Sequence, residues 1–119
     1  MLKASLKLTS SELKKIFTNQ KNTSKQVFRS DFFDLKIFPN LVNQNKFAVI
    51  LSGKQFKSAV LRNKIKRQFY SLIEKFLKEN QNLKKENSAF IFYPKKGVIN
   101  IKFSDLEITV YNELTKTLK

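Results

Sequence analysis

The chain has no cysteine and no histidine, only two glycines and two prolines, and nine acidic residues against twenty-four lysines and arginines in 119 positions. Each scarcity excludes something. Without cysteine there are no disulfides and no thiolate ligands. Without histidine there is no imidazole ligand or general base, so neither a protein-borne metal centre nor Ser-His catalysis is expected. The acids are scattered: Glu12, Asp31, Asp34, Glu74, Glu79, Glu86, Asp105, Glu107 and Glu113. Asp31 and Asp34 are the pair suited to Mg²⁺, but a three-residue spacing within a strand sends them to opposite faces. No stretch approaches the ~20 apolar residues of a spanning helix, and the first residues lack the apolar core of a secretion signal. The expected compartment is the cytoplasm, with no membrane partner. Binding, rather than chemistry by the chain's own side chains, is what this composition supports.

What the chain has in excess is positive charge, +15 in total, which predicts strong, salt-sensitive attraction to phosphate or, as a weaker reading, to an anionic membrane. Part of it forms an uncompensated run in the stretch from Ser58 to Leu77. At 100° per residue, Ile65, Phe69, Leu72, Ile73 and Phe76 gather on one side, which predicts an amphipathic helix. Arg62, Asn63, Lys64, Lys66 and Arg67 fan over the rest of its first two turns. No carboxylate stands between Lys36 and Glu74 to offset them. A solvated helix face ordinarily mixes both signs to gain i, i+4 pairs; a face of one sign repels itself unless a polyanion sits against it. Nucleic acid is the expected occupant.

The remaining elements frame this helix. Thr9, Ser10, Ser11 and Glu12 form a capping-box pattern ahead of a short helix with Leu13, Ile16 and Phe17 as its stripe. Residues 19–25 read as a polar loop. The region from Gln26 to Phe38 fits two strands or one bent strand, stopped by Pro39 and Asn40. Residues 43–46 read as a turn, and Phe47 to Leu51 as a short buried strand. Gly53 beside Lys54 leaves room for backbone to approach a phosphate, although the spacing is no phosphate-binding loop. Residues 80–87 read as a charged linker. Ser88 to Tyr93 reads as a last strand ended by Pro94, and Lys95, Lys96 and Gly97 as a basic turn. Ser104 to Glu107 offers a second capping box, before Leu106, Val110, Leu114 and Leu118 at a four-residue stagger. The order predicts one α+β domain over residues 1–119: a mostly antiparallel sheet of about four strands, a central basic helix and a helix near each end, αβββαβα.

The motif Arg62-Asn63-Lys64-x-Lys66-Arg67, preceded by Ala59 and Val60, resembles the signature of the bacterial ribonuclease P protein subunit. The similarity runs along nearly the whole chain, from Leu8 and Leu13 to Phe17, through Phe47 to Lys57, to Ala89 to Lys96. The resemblance implies a left-handed β-α-β crossover, although such units are right-handed in ~98% of cases. It implies a partner, ribonuclease P RNA, which supplies the active site and holds most of the Mg²⁺. It implies a substrate, precursor tRNA, whose single-stranded 5′ leader would lie in a cleft between sheet and central helix. No catalytic residue is expected on the protein, and no obligatory protein partner. By resemblance, Lys54, Lys57, Arg62, Asn63, Lys64, Lys66 and Arg67 face RNA, while Phe17, Phe32 and Phe33 are candidates for stacking on the leader. The pattern departs at Lys64, where arginine is common, at Leu13, where phenylalanine is frequent, and at Gly53 and Lys57.

Two rival readings share the charge. A ribosomal or other structural RNA-binding protein would need no nuclease role. A DNA-binding regulator would lay the central helix in a major groove, but no compact helix-turn-helix precedes it.

Overall fold

In the computed structural model, residues 7–19, 26–39, 45–80 and 88–118 are described. The order is α1 (Ser10–Asn19), β1 (Gln26–Arg29), β2 (Phe33–Pro39), β3 (Lys46–Val49), α2 (Ala59–Glu79), β4 (Ser88–Pro94), a 3₁₀ turn (Lys96–Asn100) and α3 (Phe103–Leu118). The strands form one sheet in the order β1-β2-β4-β3. β1 and β2 form an antiparallel hairpin, β2 pairs antiparallel with β4, and β3 pairs parallel with β4. The αβββαβα order and the mostly antiparallel sheet agree with the sequence.

Strand alternation sorts the side chains into two cores. Phe33, Leu35 and Ile37 of β2, Phe47 and Val49 of β3, and Phe90 and Phe92 of β4 face α2 and α3. Phe38, Ala48, Ala89 and Ile91 point the other way and are covered by Ile16 of α1 and by Leu8. The larger core is built from rings: Phe33, Phe69 and Phe92 form a triangle with centroids 5.3–5.6 Å apart. Edge-to-face and tilted contacts of this kind add to what ring burial alone contributes.

α2 forms where its periodicity predicted. Ser58 caps it, its hydroxyl accepting from the Leu61 N–H at 3.2 Å. Ile65, Phe69, Leu72, Ile73 and Phe76 are its buried face. Burying each such side chain contributes about 1.5–3 kcal/mol, so this stripe alone outweighs the mutual repulsion of the exposed cations opposite. At α1 the capping box is present in both directions, Thr9 N–H to Glu12 Oε1 at 3.0 Å and Glu12 N–H to Thr9 Oγ1 at 3.1 Å. Glu12 also reaches Lys46 of β3 at 2.7 Å, fastening α1 to the sheet. That contact, more than any other, holds the Glu12 carboxyl below its ordinary value.

Of the two readings open for the 26–38 region, the structure has two strands, divided at Ser30, whose hydroxyl accepts from the Phe33 N–H and donates to the Phe33 carbonyl. Other expectations need correcting. β2 runs through Pro39, and β3 ends at Val49 rather than residue 51. The second capping box does not form. α3 begins at Phe103, so Ser104 lies inside its first turn, and the N–H groups of Asp105 and Leu106 donate to the Lys102 carbonyl. The basic turn at 95–97 leads into a 3₁₀ turn that folds Gly97 against the hairpin. A Cβ at Gly97 would stand 3.0 Å from the Asp31 carbonyl oxygen. Of the segments read as loop or turn at 19–25, 43–46 and 80–87, Asn19 is instead the last residue of α1 and Lys46 the first of β3, while residues 20–25, 43–44 and 81–87, and the Phe17 and Leu118 side chains, lie outside the described residues.

Candidate RNA interface

The solvent side of α2 begins with Ser58 and carries Asn63, Lys64 and Arg67 exposed, with Lys66 half-buried. The loop before it sets Lys54 and Lys57 in solvent, while Phe56 between them is buried in the main core. Inserting that ring anchors the loop that carries both lysines in the core on which α2 packs. Arg62 behaves differently from its neighbours. Its guanidinium turns back and donates to the Phe56 carbonyl, which makes it a clamp between loop and helix.

Along the outer face of α2 lies an open groove of about 470 Å³, lined by Lys7, Val60, Asn63, Lys66, Arg67 and Tyr70. Lys7 comes from the segment before α1 and places its ammonium 4.7 Å from the Tyr70 ring centroid, a cation–π contact. The Tyr70 hydroxyl accepts from the Val49 N–H at 3.3 Å, and burial raises its pKa. Val60, among the residues that line it, is 77% exposed and adds apolar surface to the groove. Lys7 and Tyr70 were not singled out in the sequence. Tyr70 was legible, because it follows Lys66 and Arg67 at the i+3/i+4 spacing of one helix face. Lys7 reaches the groove only through folding, by a bridge to Phe47 of β3.

The aromatic candidates divide. Phe33 is 0% exposed and packs on Phe69 and Phe92, so it cannot stack on a base; odd positions of β2 face α2. Phe32, in the turn, is half-buried against the same core. The space between sheet and α2 is filled by these rings, which removes the expected cleft there. Open sheet surface lies instead on the α1 side. There the Lys36 ammonium sits 5.0 Å from the Tyr93 ring centroid. A second depression of about 520 Å³ is lined in part by Asp34, Ile50, Gln55, Tyr93, Lys95 and Lys96. Lys95 pairs with Asp34 at 3.1 Å and donates to the Ser30 carbonyl at 2.8 Å. Lys36 and Tyr93 come together through the β2–β4 register, which composition alone does not reveal.

Among the described residues no three of His, Cys, Asp or Glu come close enough to hold a metal ion. The acids pair with lysines instead: Glu12 with Lys46, Glu74 with Lys78, Asp34 with Lys95, Glu107 with Lys75. Among the described residues, the donor set does not fit a resident divalent cation. Among the same residues, no helix is long and apolar enough to cross a membrane.

A protein-family model described as ribonuclease P matches residues 3–119. The chain belongs to the ribonuclease P protein family. It is 35% identical over 98 residues to the ribonuclease P protein component of Rickettsia canadensis (strain McKiel), covering 76% of this chain and 82% of that one. Its fold is similar to that of a Staphylococcus aureus ribonuclease P protein mutant with defective mRNA degradation activity. There the TM-score is 0.68 at 16% identity, covering 95% of this chain and 88% of the other. The ribonuclease P protein from Thermotoga maritima superposes with a TM-score of 0.65 at 16% identity, covering 87% of this chain and 93% of that one. As a ribonuclease P protein, the chain is the protein subunit of the ribonucleoprotein endoribonuclease that processes tRNA. Its partner is ribonuclease P RNA, and the assembly uses metal ions. The rival reading as a structural RNA-binding protein is not favoured.

Proposed function

We propose that the two faces of the sheet divide the work of a ribonuclease P protein. The groove on α2, with Lys54, Lys57, Asn63, Lys64, Lys66 and Arg67 around it, seats the catalytic RNA by neutralising phosphates. Arg62 holds the loop that presents Lys54 and Lys57. The α1-side face takes the 5′ leader of precursor tRNA. Lys36 and Tyr93 supply a cation and a ring for an unpaired strand, and Phe17 and Phe32 are further candidates for stacking on it. The metal is Mg²⁺ held by the RNA, because the carboxylates of this chain are scattered along the sequence. Residues 1–119 act as one domain in the cytoplasm and need no further protein partner.

The observation that carries this reading is the run of cations on α2, uncompensated from Lys36 to Glu74, around a groove with an exposed valine and a tyrosine. A peptide ligand would have to be strongly acidic to sit there; an RNA backbone is so by nature.

The test is reconstitution with a bacterial ribonuclease P RNA. The protein is expected to lower the Mg²⁺ needed for cleavage of precursor tRNA, and to leave that substrate uncut when alone. Lys36→Ala and Tyr93→Leu are expected to weaken binding of precursor tRNA and not of mature tRNA. Equal loss for both substrates would place the leader elsewhere.

A further inference from the structure

The basic face of α2 has two flanks. One is the Tyr70 groove. The other lies past Lys64, where α2 meets the 3₁₀ turn and the start of α3. At 100° per residue, Val60, Lys64, Gln68 and Leu61 follow one another around the helix towards α3, so this second flank is continuous with the basic face. Here a narrow groove of about 110 Å³ is bordered by Leu61, Lys64, Gln68, Ile99, Ile101 and Phe103.

Phe103 opens α3 yet is 45% exposed, and Ile99 above it is 46% exposed. The α3 core positions are already filled by Leu106, Val110 and Leu114, all buried. Phe103 is therefore not needed to anchor the helix. Lys64 borders the ring from α2, and Lys102, exposed, precedes it in the chain. Asp105 is two residues on, 200° around the helix and away from the ring, and Glu107 is engaged with Lys75 at 3.4 Å.

We infer that Phe103 and Ile99 form a shelf on which one unpaired nucleobase of the RNA seated by α2 stacks. This rests on the reading of α2 given above. The occupant follows from the surroundings. A groove of this size admits a single planar group, not a helix or strand of a partner protein. Its rim is cationic, in a chain of net charge +15, which favours a ligand carrying phosphates beside its apolar ring. Stacking needs no particular base, since every base offers a π-face, and Lys64 is placed to meet the adjoining phosphate.

The chain contains no tryptophan, so Phe103→Trp introduces a single fluorescent reporter. Its emission is expected to be quenched on titration with ribonuclease P RNA; unchanged emission at saturating RNA overturns the shelf. Phe103→Ala is expected to weaken assembly with that RNA by about 5- to 150-fold, the effect of one lost base stack, while Phe103→Tyr retains it. The denaturant midpoint of the free protein should be alike for all three. Arg67→Ala separates this inference from the one beneath it. Weaker assembly with Arg67→Ala but not with Phe103→Ala leaves α2 as the RNA seat and removes the shelf. No loss with either removes both. An emission blue shift that grows with protein concentration in the absence of RNA would show a second copy on this surface and overturn the proposal.

Discussion

Arg62→Ala separates two roles that a basic motif ordinarily mixes. Read as sequence, Arg62 and Arg67 are equivalent RNA contacts whose removal leaves the fold alone. In the structure the Arg62 guanidinium donates to the Phe56 carbonyl, and Phe56 is itself 1% exposed in the main core. Truncation strands that carbonyl and frees the loop carrying Lys54 and Lys57. A hydrogen bond involving a charged partner nets about 1.5–3 kcal/mol, and partial exposure brings this to about 1–2 kcal/mol. Unfolding entropy near 60 °C is about 2.1 cal/mol/K per residue, so a chain of 119 residues unfolds with about 0.25 kcal/mol/K. Arg62→Ala should therefore lower Tm by about 4–8 °C. Arg67→Ala, on the exposed face, should shift Tm by about 2 °C or less, and instead flatten the salt dependence of RNA binding by roughly one unit of slope. Melting followed by circular dichroism, paired with filter binding across a salt series, reads both. Should Arg62→Ala melt with the parent chain while losing RNA affinity as Arg67→Ala does, its guanidinium serves the RNA and the clamp is wrong.

Phe33→Ala should cost about 3–5 kcal/mol of fold stability through the cavity left beside Phe69 and Phe92, whereas Phe32→Ala, half-buried, should cost clearly less; denaturant midpoints compare them. Gly97→Ala should destabilise by about 1–3 kcal/mol, because the added Cβ would stand 3.0 Å from the Asp31 carbonyl oxygen and press on the hairpin turn. The Glu12 carboxyl is depressed in the fold, chiefly by Lys46, so its contribution is present above the ordinary value of 4.5 and lost as pH falls through the lowered one. Glu12→Gln should thus lower Tm at pH 7 and narrow its gap to the parent below that range. A gap that stays constant down to pH 2 would discount the ion pair.

How much of this was legible beforehand depends on the range of the interaction. α2 and the α1 capping box are set by residues three and four apart, and both stand where the spacing put them. The fold order followed from the same local patterns. Phe33 was misread because its neighbour Phe32 looks alike in composition; only the β2 register decides which ring enters the core. The hold of Arg62 on the loop was not legible for a related reason, since its partner is a backbone carbonyl, which carries no sequence signal. Ser104 failed as a cap because the helix gained one residue at its start, where Phe103 already turns. The grooves needed the fold itself: Lys7, before α1, meets Tyr70 of α2, and Lys36 of β2 meets Tyr93 of β4, in each case across elements that do not follow one another in the chain.

The Tyr70 hydroxyl on Val49 has a consequence for solubility. β3 lies at one margin of the sheet, where unpaired backbone groups invite another chain to add a strand. Two of those groups are occupied: the Phe47 carbonyl by the Leu8 N–H at 2.9 Å, and the Val49 N–H by Tyr70. The tyrosine that lines the α2 groove is thus also a stopper on the sheet margin. A protein that neutralises a polyanion gives up the charge repulsion that keeps its copies apart, and does so on the face beside this margin. Tyr70→Phe would keep the ring and its contact with Lys7 but uncover Val49, so the variant should scatter light in mixtures with RNA under conditions where the parent complex stays clear.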